Sequence, residues 1–412
     1  MFDRLDIYAP AERWAVGLAD AGLSLVTWPG RWGRRRPWQP ARRILLLRLE
    51  RIGDLLMSLG AIRAVRQLAP DAEIDLVVGS WNESLARLIA DVTRVETLDL
   101  PWLARGASGA SHAALVGRAT GWRSRRYDLA INFEGDIRSH GLLWLSAARR
   151  RVGFDQAGGG PLLTDRVAHD PRRHVADNSM TLVERAFDRP DGSLPRALTA
   201  DGEPLWRLSI PEGAHGAARA MAAQVAGDPN AVDRTWLAVH APGGRLVKQW
   251  PVDRFGEAAI ALARRMDAVV VLTGGPGDDE VVAQTAAMLK AAGISTIPLQ
   301  GTTDLVLLAA LLARCRLLLT GDTGPMHVAA AVGTPVVAVF GPSMPWRYGP
   351  LIRQHRVVRV DLPCSPCNRI RQPPARCQGH SPDCLTAIAV SSVVEAGVSL
   401  LDSSAPTRVA MR

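Results

Sequence analysis

Residues 321–342, GDTGPMHVAAAVGTPVVAVFGP, constrain the fold more than any other stretch of the chain. An apolar run at 317–320 enters a polar turn containing Gly321 and Gly324. The turn opens a helix of small residues, and a second apolar run follows at 336–340. Short, wholly apolar runs flanking a helix read as buried strands of a parallel sheet with the helix as crossover. Thr323 suits the N-cap, and Pro325 suits the first helical turn, where a missing N–H costs nothing. Such a helix begins with unpaired amides and the positive end of its dipole at the strand end, an arrangement that binds phosphate. His327, one turn in, adds a hydrogen bond or a positive charge. An ordinary strand–turn–helix of an α/β domain has the same pattern, so the weight of this turn depends on the rest of the chain.

The same alternation runs through the whole sequence. In the first half it predicts strands at 44–49, 74–78, 95–98 and 129–133, with helices at 55–68, 84–90 and 139–148. Residues 158–204 are rich in Gly, Pro and Asp and carry one helix, at 179–187; the domain boundary is placed near its end. The pattern then restarts. Strands are expected at 236–240, 268–273, 295–299, 317–320 and 336–340, and helices at 255–265, 279–292, 305–313, 328–332 and 390–401. The expected organisation is a leader (1–41), an N-terminal Rossmann-like domain (42–200) and a C-terminal one (204–402) that includes a Cys-rich loop (361–384). Ligands of such sheets lie at the carboxyl ends of the strands.

At 412 residues the chain suffices for two domains with cores of their own. Its 47% apolar and 22% charged residues are those of a soluble globular protein. Of 49 basic residues only Lys248 and Lys290 are lysines. Arg31, Arg34, Arg35, Arg36, Arg42 and Arg43 cluster without an acid, with Trp32 and Trp38 interleaved. This run follows a weakly apolar stretch, 14–28, that is too short and polar to span a bilayer and has its charge on the wrong side for a signal peptide. Two readings stand: an interfacial segment on an anionic inner leaflet, or an unstructured basic leader. With no secretion signal, a cytoplasmic address with reduced cysteines is expected. No nucleic-acid-binding module is visible.

Three further segments place chemistry at strand ends. RLERIGDLLMSLGAIRAV, residues 48–65, sets Gly53 and Asp54 just past a strand, at the start of a helix. Gly53 allows close approach of a ligand; Asp54 is either a carboxylate in the ligand cleft or a plain N-terminal helix acid. Neither a G-x-G-x-x-G nor a Walker A sequence follows a strand. HAPGGRLVKQWPVDRF, 240–255, has Gly243 and Gly244 with accessible amides and Lys248 as a compact ammonium for a phosphate or leaving-group oxygen. LTGGPGDDE, 272–280, offers an acid for ribose hydroxyls, with Asp278 as an equally good helix cap. Separately, Cys364-x2-Cys367-x9-Cys377-x6-Cys384 has the count and first spacing of a tetrathiolate zinc or iron site, with His380 as a lesser candidate. A loop of reduced thiols is the other reading, and Cys315 is expected in the core.

Together, in this order, RLERIGDLLMSLGAIRAV, PGG…KQWP…RF and LLLTGDTGPMHVAAAVGTPVVAVFGP resemble glycosyltransferase family 9, the ADP-heptose:lipopolysaccharide heptosyltransferases, over residues 42–389. The resemblance implies a GT-B fold, two Rossmann-like domains facing across a cleft, with the acceptor on the first and the nucleotide sugar on the second. It implies an inverting, metal-independent transfer with Asp54 as general base and Lys248 at the leaving group. It assigns Lys248, Asp279 (or Glu280), Asp322, Thr323, Gly324 and His327 to binding, beside Gly53 and Gly243 from the reading of the turns, and implies ADP-heptose as donor and a lipid-linked saccharide at the inner membrane surface as acceptor. Some protein-modifying relatives hold iron with cysteines in the corresponding loop. The leader is longer than the family core, and Glu50 stands where members often have Asp or a small residue. Two other functions remain to be weighed: a family-9 transferase acting on a protein or another surface polysaccharide, and a non-catalytic nucleotide-sugar-binding protein.

Overall fold

A computed structural model describes residues 5–7, 9–27, 40–103, 109–195, 198, 206–227, 229–301 and 304–403. The chain forms two compact units, Met1–Thr199 and Ala200–Arg412. Arg31, Arg34, Arg35 and Arg36, with Trp32 and Trp38, lie outside the described residues.

In the first unit the strands are β1 (Arg43–Arg48), β2 (Glu73–Val78), β3 (Arg94–Thr97), β4 (Leu129–Asn132), β5 (Arg150–Phe154) and β6 (Asp165–Val167). They pair in parallel in the order β3-β2-β1-β4-β5-β6. β1 is central, with Ile44 opposite both Ile74 and Leu129. Its sequence RILLLR has buried side chains on both faces, as a parallel strand covered by helices requires. Burying each such leucine contributes about 1.5–3 kcal/mol. Leu45, Leu47 and Leu49 pack with Leu115, Trp122 and Leu143 in one core.

The second unit repeats the plan. β7 (Thr235–His240), β8 (Ala268–Gly274), β9 (Thr296–Gln300), β10 (Leu317–Gly321), β11 (Val336–Val339) and β12 (His355–Val358) form a parallel sheet ordered β12-β11-β10-β7-β8-β9. Numbered from its own first strand, each sheet reads 3-2-1-4-5-6, the doubly wound order. Strand order therefore reverses at β1/β4 in one unit and at β7/β10 in the other, where such sheets hold ligands. The second core is built from Leu237, Val239, Leu317, Leu319 and Val337 against Trp250, Phe255 and Leu262.

Several elements differ from expectation. The predicted helix at 55–68 is two helices, Ile52–Met57 and Leu59–Leu68. They meet at Ser58, whose hydroxyl donates to the Asp54 carbonyl at 2.9 Å and so competes with the helical ladder. β5, β6 and β12, and a helix at Glu212–Ala226, lie in stretches to which the sequence pattern assigns no element. Part of the leader is folded: Pro10–Thr27 is a helix. Asp20, 2% exposed, accepts a hydrogen bond from the Gly159 amide at 2.6 Å. Val16 packs so closely on Gly158 that a Cβ there would come within 2.2 Å of its methyl. Trp14, Leu18 and Leu25 are exposed on the far side. No helix among the described residues is long and apolar enough to cross a membrane.

Candidate active site

In the first unit the turn after β1 carries Leu49 to Gly53 into the helix that holds Asp54. Asp54 sits in the first turn, and its Oδ2 accepts from the Arg51 amide at 3.1 Å. The helix-acid reading of this residue is thus realised, and its side chain remains one-quarter exposed. Oδ1 lies 3.7 Å from Arg48 Nη2. Arg48 is almost wholly buried. Its Nη1 donates to Glu50 Oε2 at 3.0 Å and to the Phe133 carbonyl at 2.9 Å, and its Nε donates to the Asp54 carbonyl at 2.9 Å. From the end of β4, Glu134 reaches the same place, accepting from the Leu49 amide at 2.5 Å. Burial, then the neighbouring Glu50 charge, pushes the Glu134 carboxyl well above the ordinary range. Neither Arg48 nor Glu134 was singled out in the sequence: each is a single residue at a strand end, and the partners of Glu134 are supplied by β1.

In the second unit β7 ends at His240, and the chain runs through Gly243 and Gly244 into a single 3-10 turn, Leu246–Lys248. Gly243 is required for packing: a Cβ there would lie 2.8 Å from the Gln249 backbone, and its amide donates to Gln249 Oε1 at 3.3 Å. Gly244 has φ of +66°, a conformation that favours glycine. Trp250 and Phe255 are buried edge to face, 5.0 Å between centroids, and anchor the turn to the core. Lys248 is thereby held where its Nζ meets Asp322 Oδ2 at 2.7 Å. Asp322 follows β10. Burial favours its neutral form, but the charge and hydrogen bond of Lys248, a hydrogen bond from Ser343 and the proximity of His327 outweigh this and hold the carboxyl below the usual range.

Thr323 occupies the N-cap position of the helix Gly324–Val332, with Pro325 in the first turn. Its hydroxyl pairs with Thr320 Oγ1 at 3.0 Å instead of with a first-turn amide. The amides at the helix start therefore remain available to an anion. His327 is buried in the same helix. His240 Nδ1 lies 3.0 Å from the Thr273 carbonyl, and burial lowers its pKa to about 4, so the ring is neutral. After β8, Asp278 accepts from the Gly275 amide at 2.8 Å and braces the glycine turn. Asp279 and Glu280 are exposed at the start of the helix Asp279–Ala291, and Glu280 accepts from Gln284 on its own helix. The structure thus brings together Lys248, Asp322, Thr323, Gly324 and His327, with Gly243 in the turn that carries Lys248.

Of the two readings of the cysteines, the tetrathiolate one finds no support. Cys364, Cys367, Cys377 and Cys384 line one cavity of about 270 Å³, together with Arg369, Arg376 and three prolines. Among the described residues no group of three or more His, Cys, Asp or Glu is placed to hold a metal ion. The thiols are spread over the cavity wall: Cys364 is exposed, while Cys384 is buried against Gly341. Cys315 is in the core, as expected, and burial pushes its thiol up to about 12.

The comparisons with known proteins agree with this geometry. The model of glycosyltransferase family 9 (heptosyltransferase) matches residues 120–376. The lipopolysaccharide heptosyltransferase 2 of Salmonella typhimurium is 28% identical over 326 residues, covering 77% of this chain and 88% of its own length. The structure of the E. coli ADP-heptose lps heptosyltransferase II superposes with a TM-score of 0.70 at 23% identity, covering 88% of this chain and 99% of the other. A family 9 glycosyl transferase from Veillonella parvula gives the same TM-score and identity, covering 88% and 98%. Two doubly wound units of this kind are the GT-B fold, and the protein is a glycosyltransferase. The chain belongs to glycosyltransferase family 9.

Proposed function

We propose that the protein moves a heptose from ADP-heptose onto a lipopolysaccharide core acceptor, with inversion and without a catalytic metal. The observation that carries this reading is the cluster after β7 and β10: an ammonium, Lys248, beside Asp322 and the uncapped start of the helix Gly324–Val332. Together they form a cradle for a diphosphate that gains charge as the glycosidic bond breaks. Lys248, His327 and the amides at Thr323–Gly324 stabilise that charge by preorganised electrostatics. Asp322 orients Lys248. Asp279 or Glu280, exposed at the end of β8, takes the ribose hydroxyls.

In the first unit Asp54 is the general base. It removes the proton of an acceptor hydroxyl, whose oxygen attacks the anomeric carbon from the face opposite the leaving ADP. One oxygen of Asp54 is bound by a backbone amide while the other makes no hydrogen bond to the nearby Arg48, which leaves a lone pair for the proton. The relatives' names support the donor and acceptor classes. The exposed Trp14, Leu18 and Leu25 of the helix Pro10–Thr27 support work at a membrane surface on the cytoplasmic side.

The test is ADP release from ADP-heptose with and without a truncated lipopolysaccharide, with mass spectrometry of the product. An acceptor-dependent heptose adduct is expected. Asp54→Asn is expected to abolish transfer with ADP affinity nearly intact, and Lys248→Ala to weaken donor binding and rate together. Transfer to a protein or another polysaccharide alone replaces the acceptor assignment, and donor binding without turnover makes the chain a binder.

A further inference from the structure

We propose that Arg48 is a positioning residue for Asp54, its buried guanidinium fixing where the catalytic carboxylate sits. The inference rests on the reading of Asp54 as base. Arg48 is 2% exposed at the end of the central strand β1, and its guanidinium spans three pieces of chain. Nη1 reaches the end of β4 through the Phe133 carbonyl and the outer turn through Glu50. Nε grips the Asp54 carbonyl, and Nη2 faces Asp54 Oδ1 at 3.7 Å. That Nη2 is buried without a hydrogen-bond partner. A buried guanidinium with a nitrogen left over is costly unless the surrounding charge repays it. Here it lies among Glu50, Asp54 and Glu134.

The fork explains the choice of arginine. The fixed, planar fork donates to the Asp54 backbone through Nε and keeps its charge 3.7 Å from the carboxylate of the same residue, which the flexible point charge of a lysine does not do. The charged groups around this centre are Arg48, Glu50 and Arg51 from the β1 turn and Glu134 from the end of β4, with Asp136 and Arg138 beyond. Trp81 and Asn82, from the turn after β2, contribute only uncharged donors, both to the Glu50 carbonyl. Arg48 is therefore a buried cation that pairs with Glu50 beside Asp54.

The test compares Arg48→Gln, Arg48→Lys and Asp54→Asn in the full chain with ADP-heptose and truncated lipopolysaccharide, and measures ADP binding by calorimetry. Arg48→Gln is expected to lower kcat about 10²-fold, the usual cost of a catalytic group misplaced by an ångström. ADP affinity should stay within about twofold, so that the loss falls on kcat and not on donor binding. Arg48→Lys, which keeps the charge but not the fork, should recover part of kcat. If Arg48→Gln does not fold, Arg48→Lys carries the test: its kcat should lie between those of wild type and Asp54→Asn, with ADP affinity within about twofold of wild type. Wild-type kcat in Arg48→Gln, or in Arg48→Lys where only that variant folds, overturns the inference. If Asp54→Asn is inactive in that case, only the role of Arg48 falls; if Asp54→Asn still turns over, the base reading falls and takes this inference with it.

Discussion

Lys248 Nζ lies 2.7 Å from Asp322 Oδ2, a pair made by the turns that follow the adjacent strands β7 and β10. Each partner depends on the other. The carboxylate is buried and needs a cation, and the ammonium on its flexible stem needs a fixed counter-charge to be aimed. Asp322→Asn should therefore reduce ADP affinity by about tenfold. Lys248→Met, which strands a buried carboxylate, should cost about 1–3 kcal/mol of stability at neutral pH. The Asp322 carboxyl is held below its ordinary value, so its contribution is present above the unfolded pKa near 4 and is lost as pH falls through the folded value. Denaturant unfolding of wild type and Lys248→Met at pH 7 and pH 3.5 checks the sign: the difference should shrink at the lower pH.

His240 gives a second pH signature. Burial holds its pKa at about 4, against about 6.5 in the unfolded chain. Between these values the unfolded state binds the extra proton, so stability rises with pH across the window. The group contributes up to about 3 kcal/mol above pH 6.5, and that contribution is lost as pH falls toward 4. His140, also buried with its pKa lowered, acts in the same direction. In His240→Gln the slope of unfolding free energy between pH 6.5 and 4.5 should flatten. An unchanged slope would exclude His240 as a source of acid sensitivity.

The thiols should divide by environment. Cys364 is exposed and Cys367 and Cys377 are partly buried, whereas Cys315 and Cys384 are buried with thiols pushed up to about 12 and about 11. The thiolate is the reactive form. At pH 8 an aromatic disulfide reagent should label three thiols of the native protein quickly, and all five only after unfolding. Fast labelling of Cys384, read by peptide mass spectrometry, would contradict the burial assigned to it.

The parts of the fold that were legible in the sequence are those whose signal is local. β1, β7, β8, β10 and β11 are apolar on both faces and announce themselves as runs. β5 does not, because it opens on Arg150, which is neutralised by Asp165 and Asp188 from elsewhere in the chain. β12 is a half-exposed edge strand with polar residues. The helix Glu212–Ala226 packs through Ala218 and Ala222, so it shows no bulky period. The candidate site follows the same rule. Asp54, Lys248 and the turn after β10 lie in motifs at strand ends, so each could be picked out from the sequence alone. Arg48 and Glu134 acquire meaning only when parallel pairing of β1 with β4 sets them side by side. The cysteines show the converse: a metal-like spacing in sequence brings them to one cavity, but among the described residues not into a group placed to hold a metal ion.

The helix Pro10–Thr27 yields the last prediction. Trp14, Leu18 and Leu25 recur at helical spacing and are 51%, 62% and 76% exposed, a stripe of large apolar side chains on one face. The opposite face is fixed to the first unit through Asp20 and Gly159. A helix docked on one side and apolar on the other suits the interface of a bilayer, with Trp at the headgroup level. The sequence that follows carries Arg31, Arg34, Arg35 and Arg36, which favour anionic lipid by about 1 kcal/mol each near the surface. The full chain should co-float with vesicles containing phosphatidylglycerol, less with pure phosphatidylcholine, and less again at high salt. The triple variant Trp14→Ala, Leu18→Ala, Leu25→Ala should bind at least about tenfold more weakly, since each residue withdraws apolar area from the interface. Asp20→Ala keeps the stripe but removes a buried acceptor, so it should cost about 1–3 kcal/mol of stability and expose the helix to protease. Equal flotation of wild type and triple variant would assign the stripe to something other than lipid.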